Sequence, residues 1–148
     1  MNVLVKSFKE LTKEELFQIF KLRVSVFIVE QNCAYQEIDE WDIVSHHVLL
    51  KEDDEILGYL RILPPNTVFD SVSLGRVIAV KRRQGIGTKL VAEGIEAAKR
   101  LYQPKSITIE PQTYAKGLYE KLGFQQTSDE FLEDGIPHIQ MKLHIKPQ

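Results

Sequence analysis

The sequence predicts an α/β (α+β) protein: a mixed, mostly antiparallel sheet with one central parallel strand pair, flanked by helices. Three observations lead there. Strand-like and helix-like runs alternate along 148 residues, with no repeat and no low-complexity stretch. The run 73–80 (SLGRVIAV), a helical pattern over 85–101 and the run 106–110 (SITIE) make a strand–helix–strand crossover, so those two strands are parallel neighbours joined right-handedly. The turn EDDE between the runs 46–51 and 56–63 makes a second pair an antiparallel hairpin.

Each element has its own signal. Residues 2–8 (NVLVKSF) read as the first strand. Thr12 and Glu15 form a capping-box pattern that opens a helix reaching Phe27, with Leu16, Ile19, Phe20, Val24 and Phe27 as its apolar stripe. Residues 28–45 have no clean period and read as a loop with a short helix. Pro64 and Pro65 end the second hairpin strand, since proline lacks the N–H that a ladder needs. The helix over 85–101 gathers Ile86, Leu90, Val91, Ile95 and Ala98 on one face. Thr113 to Leu122 is a short helix stopped by Gly123. Phe124–Thr127 and His138–His144 are the last strands, separated by the turn EDGIP. All of this fits one domain over residues 1–148.

Composition narrows the function. Hydrophobic residues make up 43% and charged residues 27%, the balance of an ordinary globular chain. A net charge of −2 gives no electrostatic reason to expect nucleic acid or an anionic membrane as partner. The single cysteine, Cys33, cannot form an internal disulfide and fits a reducing compartment. No run approaches the roughly 20 apolar residues of a membrane span, and MNVLVKSFKE lacks a signal-peptide layout. The expected location is the cytoplasm. No Cys/His spacing suits a metal, so none is expected. His46 and His47, adjacent on a strand, face opposite sides, which makes them a poor metal pair and suggests that one is buried.

The segment KRRQGIG, Lys81 to Gly87, is a strange way to begin a helix. Helix N-termini favour negative side chains, yet Lys81, Arg82 and Arg83 stand here. No Ser, Thr, Asp or Asn between Val80 and Gly87 caps the exposed amides. An anion would answer both problems, with Gly85 and Gly87 letting a phosphate approach the backbone. A solvated basic turn with two flexible glycines is the plainer alternative. A nucleotide P-loop string is absent. The dinucleotide fingerprint lacks its third glycine, because position 90 is Leu; only Glu110, at the end of the next strand, keeps a dinucleotide-binding oxidoreductase in view.

What remains is R-x-x-G-x-G, Arg82, Gly85 and Gly87, followed by QTYAKGLYEKLGF, Gln112 to Phe124. In this order the two segments resemble the GNAT acyltransferase superfamily, whose pyrophosphate loop reads [QR]-x-x-G-x-[GA] and whose later motif reads Q/N-x-x-A-x-x-x-Y-x-x-x-G-F. LRVSVFIVEQNCAYQEIDEWD and DGIPHIQM are similar to the ElaA-like branch, so the resemblance covers nearly the whole chain. Glu110-Pro111 departs from it, standing where relatives commonly carry small or polar residues.

The resemblance implies a splayed parallel pair with acetyl-CoA between the strands as cosubstrate and an acetyl group moved to an amine by direct attack in a ternary complex. It implies that backbone groups of Ile78, Ala79 and Val80 pair with pantetheine, an N–H near Ile78 holding the oxyanion. Arg82, Arg83, Gln84, Gly85, Ile86, Gly87 and Thr88 would hold the pyrophosphate. Gln112 would bind the coenzyme or order the splay, and Tyr119 would be the general acid that protonates the departing thiolate. Read from the residues alone, Leu74, Ile78 and Val80 are also core positions, Tyr119 also a ring packed on the sheet, and Gln112 also a polar helix start. The acceptor is a small-molecule or peptide amine, and Glu30, Asp39 and Glu40 are its expected acidic contacts. The acidic loop 37–42 also reads as a solvated turn. The base stays open among Glu30, Asp39, Glu40, Glu110, His46, His47 and His138. Cys33 reads as a small core residue. A coenzyme A-binding sensor with little catalysis is the alternative, and the assembly is a monomer or homodimer.

Overall fold

A computed structural model describes residues 1–80 and 85–147. Lys81, Arg82, Arg83 and Gln84, four residues of the expected anion loop, lie outside the described residues. Among those described, no helix is long and apolar enough to cross a membrane.

The first strand, β1 (Asn2–Ser7), leads through one 3-10 turn into α1 (Lys13–Arg23). The expected capping box is present: Glu15 N donates to Thr12 Oγ1 at 3.1 Å, and Thr12 N donates to Glu15 Oε1 at 2.8 Å. The helix does not stay α-helical to Phe27. Val24–Glu30 is a π-helical segment. Val24, Val26, Ile28 and Val29 are β-branched, which lowers the preference of this stretch for a regular α-helix. Only Glu15, Ile19 and Arg23 of α1 are buried, so its inner face is more polar than the apolar stripe implied. A single helical turn, α2 (Trp41–Val44), precedes the sheet hairpin of β2 (His46–Glu52) and β3 (Glu55–Leu63).

Next come β4 (Val72–Ala79), α3 (Ile86–Tyr102) and β5 (Ser106–Ile109), each within a residue of expectation. Pro111 stops β5 early. A 3-10 turn at Thr113–Ala115 runs into α4 (Lys116–Lys121), and Gly123, at φ 99°, turns the chain out of it.

The seven-stranded sheet has the order β1-β2-β3-β4-β5-β9-β6, with β4 and β5 parallel and every other neighbouring pair antiparallel. β6 is Gln125–Gln126 and β9 is Met141–His144. One expectation needs correcting. The run 138–144 is not a single strand, and EDGIP does not join the last two strands of the sheet. It closes a separate ribbon of β7 (Phe131–Glu133) and β8 (Ile136–His138). Asp134 and Gly135, at φ 51° and 77°, give the two successive left-handed residues that a tight hairpin requires. Between β8 and β9, Ile139 N donates to Pro111 O at 3.1 Å, which pins the ribbon beside the end of β5.

β2 and β3 are buried on both faces. Val48, Leu50, Leu60 and Ile62 pack toward α3, whose buried side is Ile86, Leu90, Val91, Ile95 and Ala98. Leu49 and Tyr59 pack on the other side with Ile19 of α1.

Candidate active site

The parallel pair is short. β4 and β5 share only the pairs Val72↔Ile107 and Ser73↔Thr108, although β4 continues to Ala79. Beyond Ser73 the strands part. A cleft of about 430 Å³ opens there, between Ser73–Val77 of β4 and Ile109–Gln112 after β5. Tyr119 of α4, Phe27 of the π segment and His138 of the ribbon form its other walls.

A bulge shapes the β4 wall. Tyr59 of β3 pairs with Ile78, but Arg61 pairs with Gly75, so β4 carries one extra residue. Arg76 absorbs it at φ 54°, a conformation that costs a non-glycine residue about 1–3 kcal/mol and persists only when its surroundings fix it. Its side chain is fixed: Arg76 Nε pairs with Glu37, Nη2 donates to Glu37 O at 2.8 Å, and the guanidinium stands 5.8 Å from the Tyr35 ring.

Glu37 belongs to a larger buried network. Arg23, 0% exposed, donates from Nε to Glu37 Oε2 at 3.0 Å and from Nη1 to Asp42 Oδ1 at 2.6 Å. Arg61 donates from Nη1 to Asp39 Oδ1 at 2.7 Å and to Asp42 Oδ1 at 2.9 Å. Burial pushes the Asp42 carboxyl up, but the hydrogen bond and charge of Arg23 and the charge of Arg61 outweigh it, leaving it below the ordinary 3.8. The acidic loop is therefore a structural partner of three arginines rather than a solvated turn. An arginine inside each apolar run, YLRIL and SLGRVIAV, was the available signal, since a charge placed in a buried strand needs a partner.

The other site residues separate clearly. Asp39 lines the cleft, but its carboxylate is held by Arg61 and, at 3.5 Å, by Arg76. Glu30 and Glu40 are exposed and do not line it. Ile78 is buried, and its amide is turned away. Val80 N donates to Leu57 O at 2.9 Å, which sets the phase of the β3–β4 ladder. Strand alternation then points Ile78 at β3 and leaves Val77 and Ala79 to offer backbone groups on the open side. The backbone N–H of Ile78 thus faces β3, and those of Val77 and Ala79 face the open side.

Gly85 is the N-cap of α3, at φ 82°. Among the described residues no side chain caps that helix, and no acidic residue stands in its first turn. Ile86 is buried, and Thr88 is exposed. Gly87 has a packing reason of its own: a Cβ there would lie 2.9 Å from Leu118 Cδ1 and 3.7 Å from Ala79 Cβ.

Gln112 lines the cleft and bridges the backbone of His138. Tyr119 is 5% exposed, lines the cleft and meets Phe124 edge-on at 5.8 Å. Burial pushes its phenol well above the ordinary 10. Ser73 Oγ and Thr113 Oγ1 are buried with no hydrogen-bond partner among the described residues. Of the paired histidines, His47 is fully buried. One nitrogen stands 2.6 Å from Tyr59 Oη and the other 2.9 Å from Asp42 O. Cys33 is not a core residue: it is half-buried on the cleft wall, 3.6 Å from Asp134 O.

Comparison with known proteins agrees with this geometry. Residues 9–145 match the family model described as an acetyltransferase (GNAT) domain. A UPF0039 protein of Schizosaccharomyces pombe is 37% identical, over 98% of both chains. Protein ElaA of Escherichia coli is 35% identical over 92% of both in sequence alignment. Superposed on the crystal structure of Escherichia coli ElaA, the chain gives a TM-score of 0.89 over 97% of its length and 100% of that chain, with 31% of the structurally aligned residues identical. An acyl-CoA N-acyltransferase from Pseudomonas aeruginosa gives 0.90 at 35% identity, over 97% of this chain and 99% of that one. The chain belongs to the GNAT acetyltransferase family, in the branch that holds ElaA, and is by class an N-acetyltransferase.

Proposed function

We propose that residues 1–148 form a single GNAT domain that moves an acetyl group from acetyl-CoA to an amine by direct attack in a ternary complex. The observation that carries this reading is the splay. Beyond Ser73, the edge of β4 that faces away from β3 has no strand partner among the described residues, and buried backbone polar groups need partners. The amides of a pantetheine arm are such partners, and Val77 and Ala79 are the residues in phase to meet them. The uncapped start of α3 opens nearby, with Gly85 and Gly87 allowing close approach, and suits a pyrophosphate. In this reading Arg82, Arg83, Gln84, Gly85, Ile86, Gly87 and Thr88 hold the phosphates, and Gln112 steadies the mouth of the splay.

The thioester supplies an activated acyl group and a thiolate leaving group. Tyr119 is the proton donor to that sulfur. Burial keeps its phenol protonated across the neutral range, so it enters the reaction able to give a proton. A backbone N–H of Val77 or Ala79 faces the carbonyl oxygen as it gains charge. The acceptor is a small-molecule or peptide amine.

Calorimetry with acetyl-CoA, followed by thiol release over a panel of amines, tests the reading. Binding that weakens in Arg82→Ala and Arg83→Ala, with thiol release by at least one amine, is the expected result. Binding without release for any amine would leave a coenzyme A-binding module, and no binding would remove the reading altogether.

A further inference from the structure

The reaction needs a base as well as an acid, because an amine reaches the site as an ammonium ion. Most of the carboxylates and imidazoles considered for that role are disqualified by position. His47 uses both ring nitrogens on protein partners. Neither His46 nor Glu30 nor Glu40 lines the cleft. Asp39 is held by two arginines. Glu110 and His138 remain, and both line it.

We propose that His138 is the general base, receiving the acceptor's proton on Nε2, with Glu133 positioning it and stabilising the imidazolium that forms. This rests on the acyltransfer reading above. The tautomer is set by chemistry on the page. His138 Nδ1 lies 2.7 Å from Ile136 O, and a carbonyl oxygen can only accept, so Nδ1 carries the proton and Nε2 keeps its lone pair. Nε2 stands 3.7 Å from Glu133 Oε2. That contact offers nothing to a neutral ring and becomes an ion pair once Nε2 is protonated. Phe131 stacks on the ring, with centroids 6.1 Å apart and planes at 22°. The backbone bridge to Gln112 anchors the residue to the cleft wall. Glu110 is the rival: its Oε2 accepts from Gln140 Nε2 at 3.3 Å, and burial raises its carboxyl above the ordinary 4.5. Glu133 is the carboxylate in contact with His138; the other charged and titratable groups that line the same cleft are Asp134, Glu110, Asp39, Arg61, Arg76, Cys33, Tyr35, Tyr114 and Tyr119.

The protons balance. His138 Nε2 takes the first from the ammonium, and the freed nitrogen lone pair bonds to the thioester carbon. The C–S bond breaks, sulfur takes the Tyr119 proton, and the second nitrogen proton restores the phenol. His138 then releases its proton to solvent.

The test pairs a measurement on the free protein with kinetics. Nitrogen NMR of the free protein should show the Nδ1–H tautomer at His138. Glu133→Gln should lower kcat by less than about tenfold with acetyl-CoA affinity unchanged, as suits a half-exposed carboxylate. The kcat/KM profile should carry an acid limb, and Glu133→Asp should recover part of the lost turnover. His138→Gln should lower turnover by about 10²–10⁴-fold and abolish that limb, with acetyl-CoA affinity unchanged by calorimetry. Should His138→Gln fail to fold, the tautomer measurement and the kinetics of Glu133→Gln and Glu133→Asp carry the test. An Nε2–H tautomer, a turnover that ignores Glu133→Gln, or loss of the limb in Glu110→Gln alone would overturn the assignment. Failure of the wild-type protein to bind acetyl-CoA would strike the acyltransfer reading instead and leave the tautomer measurement standing.

Discussion

Tyr119 shows how one side chain serves packing and chemistry together. Its ring is core, edge-on to Phe124, while the residue lines the cleft. Tyr119→Phe preserves ring volume and deletes only the hydroxyl, so stability should change little. Turnover should fall by about 10²-fold, the low end for a lost general acid because water can partly replace it. Coenzyme affinity should hold. Steady-state thiol release beside calorimetry decides: turnover within about twofold of wild type would leave Tyr119 a packing residue. His47 gives a second residue-scale expectation. Burial holds its imidazole below the ordinary 6.5, neutral between Tyr59 and Asp42. The folded state thus binds its proton less readily than the unfolded chain. This contribution to stability is complete above pH 6.5 and is lost as the pH falls through the folded value. The Asp42 carboxyl adds a second loss below about 3.8. Denaturant unfolding across pH 7 to 4 should show the first decline, and His47→Gln should flatten it. An identical pH slope in wild type and variant would assign the decline elsewhere.

At the scale of elements, α3 carries the tightest fit. Gly94 faces β3, where a Cβ would stand 2.8 Å from Leu60 Cδ2 and 3.2 Å from Leu60 Cδ1. Leu60 is fully buried and has little room to yield. Gly94→Ala gains about 1 kcal/mol of helix propensity but incurs an overpacking cost of about 1–3 kcal/mol. The net expectation is a loss of up to about 2 kcal/mol in urea unfolding, recovered in part by Leu60→Val. A stabilised Gly94→Ala protein would mean that α3 can shift off the sheet. Gly87 packs on Leu118 in the same manner, so bulk added there perturbs helix packing as well as any ligand. The crossover was legible because its signals are local: an apolar face repeating over 86–102 and apolar runs either side. The ribbon β7–β8 was not, because three-residue strands leave too short an alternation to read. The π segment was hidden as well, since its apolar spacing matches an α-helix over two turns. Tyr119 and Gln112 could be found from their motif, whereas the phase that turns Ile78 toward β3 depends on a bulge that no residue pattern announced.

Across the whole molecule, three arginines and three carboxylates tie the layers together. Arg23 comes from α1, Glu37 and Asp39 from the loop, Asp42 from α2, Arg61 from β3 and Arg76 from the bulge of β4. Their charges cancel, so the network holds the cleft wall without giving the cleft a net charge. Nothing local in the sequence joins residues 23, 37, 42, 61 and 76; only the folded sheet does. Such a network is no strong source of stability when whole, because desolvation offsets most of the attraction. It is costly when broken, because the surviving charges stay buried. Asp42 is the partner shared by Arg23 and Arg61, and its side chain is 2% exposed. Asp42→Asn keeps the shape and removes the charge, leaving the two guanidinium groups short of a counter-ion. The expected loss is about 3–5 kcal/mol, read as a lower denaturant midpoint at an unchanged slope. Raising salt should not restore it, since buried pairs are screened far less than surface ones. Because the network fixes Arg76 and with it the bulge, coenzyme affinity should fall even where Asp42→Asn remains folded. A variant within about 1 kcal/mol of wild type, the range of an exposed pair, would show that the network is hydrated and that the bulge is held by the β3–β4 ladder alone.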